Sequence, residues 1–348
     1  MTSVAFAIPG DITLATGGYA YGRRVLGLLP RFGVDVNYVV LPGSFPAPTA
    51  ADLTETQRLL AGVPAETAIL ADGLAYGAMP VELVSSLHSP IVALVHHPLW
   101  LEAGLSKARQ DELYALEKAA LALARHVIVT SLSTANTLIA DFAVPAGKIT
   151  VAEPGTDPAA RARGTGNPPQ LLSVGSVVPR KAYDTLVRAL AQVADRDWQL
   201  TIVGPTDRSV EALAALEAAI GETGLGPRIT VAGPAAPERL EAYYASADVF
   251  VLLSLYEGYG MVLAEAMARG LPIVCTTGGA AAATVPDAAA FKVPPVDVQA
   301  LGSAIRRVLD DPARRRQMSD AAWAAGQKLP RWEDTARTIA DVIRNLAP

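Results

Sequence analysis

Short runs of Val, Ile, Leu and Ala alternate along this chain with longer stretches whose apolar residues recur every three or four positions. The short runs predict strands at Val4–Ile8, Asp35–Val40, Thr67–Ala71, Ile91–Val95, His126–Thr130 and Ile149–Ala152. The longer stretches predict helices at Tyr21–Leu29, Ala50–Leu60, Pro80–Leu87 and Lys107–Ala124. Alternation of this kind implies a doubly wound parallel sheet. Residues 153–169, EPGTDPAARARGTGNPP, break the rhythm with Pro, Gly and Thr and little apolar content, so they read as a linker. The alternation then restarts. Strands are expected at Leu171–Val174, Gln199–Val203, Arg228–Ala232, Val249–Leu253 and Pro272–Cys275. Helices are expected at Asp184–Val193, Val210–Glu222, Pro237–Ala245, Gly260–Arg269 and Val298–Leu309, and the last helical pattern, Trp332–Leu346, is amphipathic. The expected fold class is α/β, with two doubly wound parallel-sheet domains at 1–160 and 161–330 and a closing segment at 331–348.

Composition narrows the function classes. The chain has 348 residues, 51 % of them hydrophobic, which suits about two well-filled domains. Its formal net charge is −5 and its basic residues are scattered, so no nucleic-acid partner is expected. Cys275 is the only cysteine, which leaves no disulfide within the chain and fits a reducing cytoplasm. The opening MTSVAFAIPGD reads as a first strand rather than a signal peptide. No run approaches the ~20 apolar residues of a membrane-spanning helix. Any membrane contact is expected to be peripheral, on the inner face of the cytoplasmic membrane.

The most informative segment runs from Ser254 to Gly279, SLYEGYGMVLAEAMARGLPIVCTTGG. It reads as a glycine turn and a helix between two buried strands, with Glu257 in the turn and Glu265 in the helix. Such a turn lies at the carboxyl edge of a parallel sheet, where open α/β sheets bind ligands. The free N–H groups and dipole of the helix that follows attract phosphate. A second segment, Leu171 to Leu190, reads LLSVGSVVPRKAYDTLVRAL and carries the basic pair Arg180 and Lys181. A third, Asp11 to Arg24, reads DITLATGGYAYGRR, with Gly17 and Gly18 ahead of a helix expected to begin near Tyr19. A fourth, IVALVHHPLWL, runs a strand directly into His96 and His97. No GxGxxG dinucleotide fingerprint and no GxxxxGK[ST] loop occurs. The adjacent histidines lack the third ligand and the spacing of a metal site. No Asp-x-Asp metal triplet is expected, and no metal-binding residue is assigned. Plainer roles stand beside these: helix capping by Glu257, a solvated Glu265, a loop-capping basic pair, a structural histidine.

The E-x7-E spacing, with EGYG ahead and EAMARGLPIV behind, resembles the signature of retaining glycosyltransferases of the GT-B fold, specifically the large family 4. The resemblance covers nearly the whole chain and is most specific in the second half. It implies two Rossmann-like domains facing across a cleft, with the last helix crossing back onto the first. It implies that Glu265 accepts the two ribose hydroxyls of a nucleotide-sugar and that Glu257 lies close to the donor sugar. The backbone at Tyr259, Gly260, Met261 and Val262 would face sugar hydroxyls or phosphate. Arg180 and Lys181 would hold the diphosphate and stabilise its departing charge without a metal. Gly17 and Gly18 would reach the donor phosphate or the acceptor, and His96, with His97 as the weaker match, the donor sugar. Gly204 in IVGPTD and Gly233 in VAGPAAP match donor-binding loops, the latter near the nucleobase. Three departures stand out. Ser176 stands where the family often has arginine, Ala182 where it usually has glycine, and Ala280–Ala283 where a glutamate usually follows Gly278–Gly279.

The function implied is retaining transfer of a sugar from a nucleotide-sugar, most readily a UDP-sugar, to a hydroxyl, with no cofactor. A membrane lipid such as diacylglycerol is one acceptor. Its motivation is the apolar loop Leu99–Trp100–Leu101 beside His96, with Arg23, Arg24 and Arg31 nearby, although core is the default for such a loop and a solvated face the default for such arginines. Soluble glycosides and polysaccharides are the alternative acceptors. Outside transfer, the scaffold could serve a non-catalytic nucleotide-sugar-binding protein, a sugar phosphorylase or an epimerase. A nucleotide-dependent oxidoreductase would need the missing GxGxxG.

Overall fold

Strands buried on both faces build two sheets in the computed structural model, which describes residues 2–164 and 166–346. The first sheet contains β1 (Thr2–Pro9), β2 (Val34–Leu41), β3 (Ala68–Asp72), β4 (Ile91–Val95), β5 (His126–Val129) and β6 (Ile149–Val151). Its order is β2-β1-β3-β4-β5-β6, and each described pairing is parallel. The second contains β7 (Gln170–Val174), β8 (Gln199–Val203), β9 (Ile229–Gly233), β10 (Val249–Leu252), β11 (Ile273–Thr276) and β12 (Ala290–Val293). Its order is β12-β11-β10-β7-β8-β9, again parallel throughout. Every residue of β3, β4, β10 and β11 is buried, as expected for central parallel strands covered by helices on both sides.

The described residues divide into two units, 2–155 with 330–346, and 156–329. Alternate side chains of the second sheet fill two separate cores. Leu171, Val251 and Val274 pack with Leu186, Val187 and Leu190 on one face, while Leu172, Leu252 and Cys275 pack with Leu263 and Met267 on the other. In the first unit the helix Trp332–Leu346 buries Trp332, Ala336, Ile339, Ala340 and Ile343, one face of a 3.6-residue period. Trp332 meets Tyr21 edge to face at 5.7 Å, and Thr335 Oγ1 donates to the Glu153 carbonyl at 2.6 Å.

The order in which strands pair fixes where ligands can bind. In the first sheet the order reverses between β1 and β3; in the second it reverses between β7 and β10. Loops leaving adjacent strands at such a switch point diverge to opposite faces and open a crevice at the carboxyl edge. The loops after β1 and β3 carry the Gly17–Gly18 turn and Asp72; those after β7 and β10 carry Arg180, Lys181 and Glu257.

Several elements differ from expectation. β12 and the helices Leu132–Phe142 and Pro312–Gly326 are additional. β12 is only four residues long and leads straight into a Pro-Pro turn, too short a run to separate from its surroundings. The helix Leu132–Phe142 is rich in Ser and Thr, poor local helix formers. It is held by the Ser131 cap and by burial of Ala135, Leu138 and Phe142. The first helix starts at Gly17, not near Tyr19, because Thr16 caps it by accepting the Tyr19 N–H at 3.3 Å.

Candidate active site

In the second unit, the chain turns sharply after β7 and after β10, and the two turns are stitched together. The Leu255 N–H donates to the Arg180 carbonyl at 2.8 Å, and Arg180 Nη1 donates to the Tyr256 carbonyl at 2.9 Å. Glu257, 7 % exposed, receives Lys181 Nζ on Oε1 at 2.5 Å, and Arg180 Nη1 lies 3.5 Å from the same oxygen. Burial alone would raise the Glu257 carboxyl, but Lys181 and then Arg180 overcome it and hold the group below the usual carboxylate range. Two cations against one anion leave this corner with net positive charge. The glycine pair after β11 locks the turn from the far side. Glu257 N–H donates to the Gly278 carbonyl at 3.2 Å, and Ala280 N–H donates to the Glu257 carbonyl at 2.7 Å.

Gly260 ends the turn and caps the helix Met261–Ala268 with φ 88°. A Cβ there would stand 2.8 Å from Leu263 Cδ1, so both dihedral and space call for glycine. No side chain caps this helix, so the N–H groups at Met261 and Val262 face outward as donors. Glu265 sits one turn further in and is half-buried. Its Oε2 accepts the Tyr244 hydroxyl at 2.8 Å, and Arg269 Nη1 donates to its carbonyl at 2.9 Å. Burial raises the Glu265 carboxyl above its ordinary value; Tyr244 and Arg269 oppose the shift, while Asp157 and Glu241 add to it. Beside these, Gly204 directly follows β8 and Gly233 closes β9, with the Gly204 N–H donating to the Gly233 carbonyl at 2.9 Å. A Cβ on Gly204 would meet the Gly175 carbonyl oxygen at 2.2 Å, so the loops after β7 and β8 approach as closely as backbone allows.

In the first unit, His96 follows β4 with its ring against Gly18 and edge-on to Tyr21, 5.2 Å between centroids. Its Nε2 lies 3.3 Å from Asp72 Oδ2, and Asp72 Oδ1 accepts the Leu74 N–H at 2.9 Å. His97 turns elsewhere and pairs with Glu102 at 3.1 Å. Gly17 and Gly18 form the first helical turn rather than preceding it, which still leaves first-turn N–H groups directed outward.

Residues 63–160 match the model of Glycosyltransferase Family 4, and residues 159–324 match that of Glycosyl transferases group 1. This chain is a family 4-like glycosyltransferase of the GT-B fold. It is 28 % identical over 318 residues to the MMP alpha-(1->4)-mannosyltransferase of Mycolicibacterium hassiacum, covering 85 % of this chain and 75 % of that one. It is 34 % identical over 204 residues to the GDP-mannose-dependent alpha-(1-6)-phosphatidylinositol monomannoside mannosyltransferase of Mycolicibacterium smegmatis. That match takes in 54 % of this chain and 52 % of the relative, so the chain spans about half of that protein. Among solved structures, the sucrose-phosphate synthase of Thermosynechococcus elongatus superposes with a TM-score of 0.83 at 26 % identity, covering 99 % of each chain.

Within this GT-B frame, the motif residues of the second unit lie on adjoining loops: Arg180, Lys181, Glu257, Gly204 and Gly233, with Gly260, Met261, Val262 and Glu265 behind them. Tyr259 is 7 % exposed, and its ring packs inside the unit. Glu257 departs from its expected role in one respect: its Oε1 is engaged by Lys181 rather than turned wholly toward a ligand. Ala280–Ala283 offers no polar side chain where the family usually has a glutamate; the next residue, Thr284, donates from Oγ1 to the Tyr259 carbonyl at 2.7 Å. Ala182 adopts φ 47°, ψ 45°, a left-handed conformation that suits the glycine usual there.

One expectation is corrected. The chain does contain an Asp-x-Asp triplet, Asp195–Arg196–Asp197. It lies just ahead of β8, at the amino edge of the sheet, and Asp195 is taken by Arg306 at 2.9 Å and Arg196 at 2.6 Å. No group of three or more potential metal ligands occurs among the described residues. The loop Leu99–Leu101 follows its default reading and packs on the core. Leu99 is 5 % exposed and Trp100 packs edge to face on Tyr114 at 5.8 Å. The Leu99 N–H donates to the buried Glu117 at 2.9 Å. The nearby arginines are exposed, as on a solvated face, and each has a partner within the unit. Arg23 donates to the Leu14 carbonyl at 3.1 Å, Arg24 covers the Trp332 ring, and Arg31 pairs with Glu333 at 3.3 Å. No helix among the described residues is long and apolar enough to cross a membrane.

The motif reading missed Asp72, Tyr244 and Arg269. Asp72 carried a signal, an acidic residue ending an apolar strand. Tyr244 lies 21 residues from Glu265 and reaches it only through packing of neighbouring helices.

Proposed function

We propose that this protein transfers a hexosyl group from a nucleoside-diphosphate sugar to a hydroxyl acceptor, retaining the anomeric configuration. The observation that carries the reading is the buried Arg180–Lys181–Glu257 cluster at the switch point of the second sheet. Breaking a sugar–phosphate bond leaves charge on the departing diphosphate, and fixed cations with a net positive field stabilise it as it forms. Glu257 holds Lys181 in one rotamer, so no reorganisation is needed during the reaction. The outward N–H groups of Met261 and Val262 would add donors to the same phosphate or to sugar hydroxyls, and Glu265 would accept ribose hydroxyls. His96 is proposed to contact the donor sugar, and the first-turn N–H groups of Gly17 and Gly18 the phosphate or the acceptor. The acceptor hydroxyl would attack from the face the diphosphate leaves, passing its proton to the leaving phosphate.

Uridine is the first reading for the nucleotide. Guanosine is the second, favoured by the relative whose name specifies GDP-mannose. For the acceptor, a soluble glycoside or polyol comes first, because Leu99 is buried and Trp100 packs on Tyr114, while the three exposed arginines each have a partner within the unit. A glycolipid comes second, favoured by the same relative's phosphatidylinositol monomannoside. No metal is assigned a role.

A panel of UDP- and GDP-sugars, assayed for slow donor hydrolysis and then for transfer, tests the reading with and without EDTA. We expect one donor to be cleaved, unaffected by the chelator, with α-linked donors giving α-linked products. Inverted products, or activity abolished by EDTA and restored by Mg²⁺ or Mn²⁺, would overturn the mechanism. Binding of a nucleotide-sugar with neither hydrolysis nor transfer would favour a non-catalytic binding protein.

A further inference from the structure

Glu265 is held asymmetrically. Oε2 accepts the Tyr244 hydroxyl at 2.8 Å, while Oε1 takes no hydrogen bond among the described residues. Tyr244 itself is fully buried and stacks on Phe250, 5.9 Å between centroids. The Arg269 guanidinium also lies over the Tyr244 ring at 4.3 Å, donates to the Glu265 carbonyl at 2.9 Å and pairs with Glu241. The phenol is therefore held in place by a ring and a cation packed on it, and its proton goes to Glu265. A glutamate side chain without such a partner would sample several rotamers and would have to be fixed by the ligand at the moment of binding. The Tyr244 bond fixes it beforehand and leaves Oε1 to the incoming group.

We propose that Tyr244, clamped by Phe250 and Arg269, is a positioning residue that orients the Glu265 carboxylate for vicinal ribose hydroxyls and so sets the preference for ribonucleotide donors. This inference rests on the donor-site reading above. It goes further in assigning the selectivity to a buried phenol that need not touch the nucleotide.

Tyr244→Phe deletes the hydroxyl but keeps the ring against Phe250 and Arg269, so the packing survives. Calorimetric titration would use UDP and GDP and their 2′,3′-dideoxy counterparts on both proteins. We expect the parent to bind its preferred ribonucleoside diphosphate more tightly than the dideoxy form. The variant should lose roughly five- to tenfold in affinity for the ribonucleotide, the scale of one charge-assisted hydrogen bond acting indirectly. Its affinity for the dideoxy form should stay within about twofold of the parent's, the scale of a change worth well under one hydrogen bond. Equal losses for both nucleotides would make Tyr244 merely structural and overturn the inference, as would an unchanged ribose preference. A parent that does not distinguish ribose from dideoxyribose would instead overturn the role given to Glu265, and the inference with it.

Discussion

Arg180 and Lys181 are neighbours in sequence but not equivalent in the fold. The Lys181 side chain is 10 % exposed and ends on Glu257, whereas that of Arg180 is 20 % exposed and also bonds backbone. Either substitution by Ala should lower turnover by roughly 10²–10³-fold, the loss typical of one preorganised charge-stabilising group. Only Lys181→Ala should also destabilise strongly, by roughly 3 kcal/mol, because it strips the near partner from a buried carboxylate. Steady-state rates beside denaturant midpoints separate the two effects, and matching stability losses would show the cations to be interchangeable. Ala182 next door holds a left-handed conformation that costs a residue with a Cβ roughly 1–2 kcal/mol. Part of the relief from Ala182→Gly is offset by about 0.4–1 kcal/mol of extra freedom in the unfolded chain. The expected net gain is therefore roughly 0.5 kcal/mol. A loss above about 1 kcal/mol in the denaturant midpoint would refute the strain argument.

The loop after His97 and the helix Lys107–Leu123 are tied by Glu117, 1 % exposed, which accepts the Leu99 N–H. Burial pushes its carboxyl up to about 8, with the Leu99 N–H pulling the other way. Between about pH 4.5 and 8 the folded protein thus holds a proton here that the unfolded chain has released, so stability falls as pH rises through that window. The penalty reaches roughly 4 kcal/mol at pH 8. Glu117→Gln should flatten the pH dependence of the melting temperature between pH 5 and 8. An unchanged slope would mean that Glu117 is ionised in the fold. The same elements show what the chain's pattern could and could not reveal. The alternation of apolar runs with helical periodicity was legible because both faces of each central strand are buried. Glu257, Glu265, Arg180 and Lys181 were legible because each lies in a local motif, and their neighbourhood follows from strand order. The mutual pairing of Lys181 with Glu257 was not, since 76 residues separate them. The apolar Leu99–Trp100–Leu101 run stayed open between core and exposed tip because composition alone does not tell a tip from a loop packed on Tyr114.

At the scale of the whole molecule, the second unit is one continuous stretch, whereas the first is not. The first unit needs the helix Trp332–Leu346, whose Trp332 is 6 % exposed against Tyr21 and Arg24. Trp332→Ala should cost roughly 3–5 kcal/mol and make the last helix the first site of limited proteolysis. A variant as stable and as resistant as the parent would show that the helix is not needed to complete that core.

That discontinuity has a consequence for how the protein is made. At about 5–20 residues per second, a ribosome needs roughly ten to thirty seconds to build the second unit after Gly155 has emerged. Throughout that interval the first sheet is fully synthesised yet lacks the helix that covers Tyr21 and its neighbours. The later-made unit can therefore finish folding before the earlier one. The nascent chain carries an uncovered apolar stripe for as long as translation of the insert lasts, which marks the stage at which chaperones would matter most.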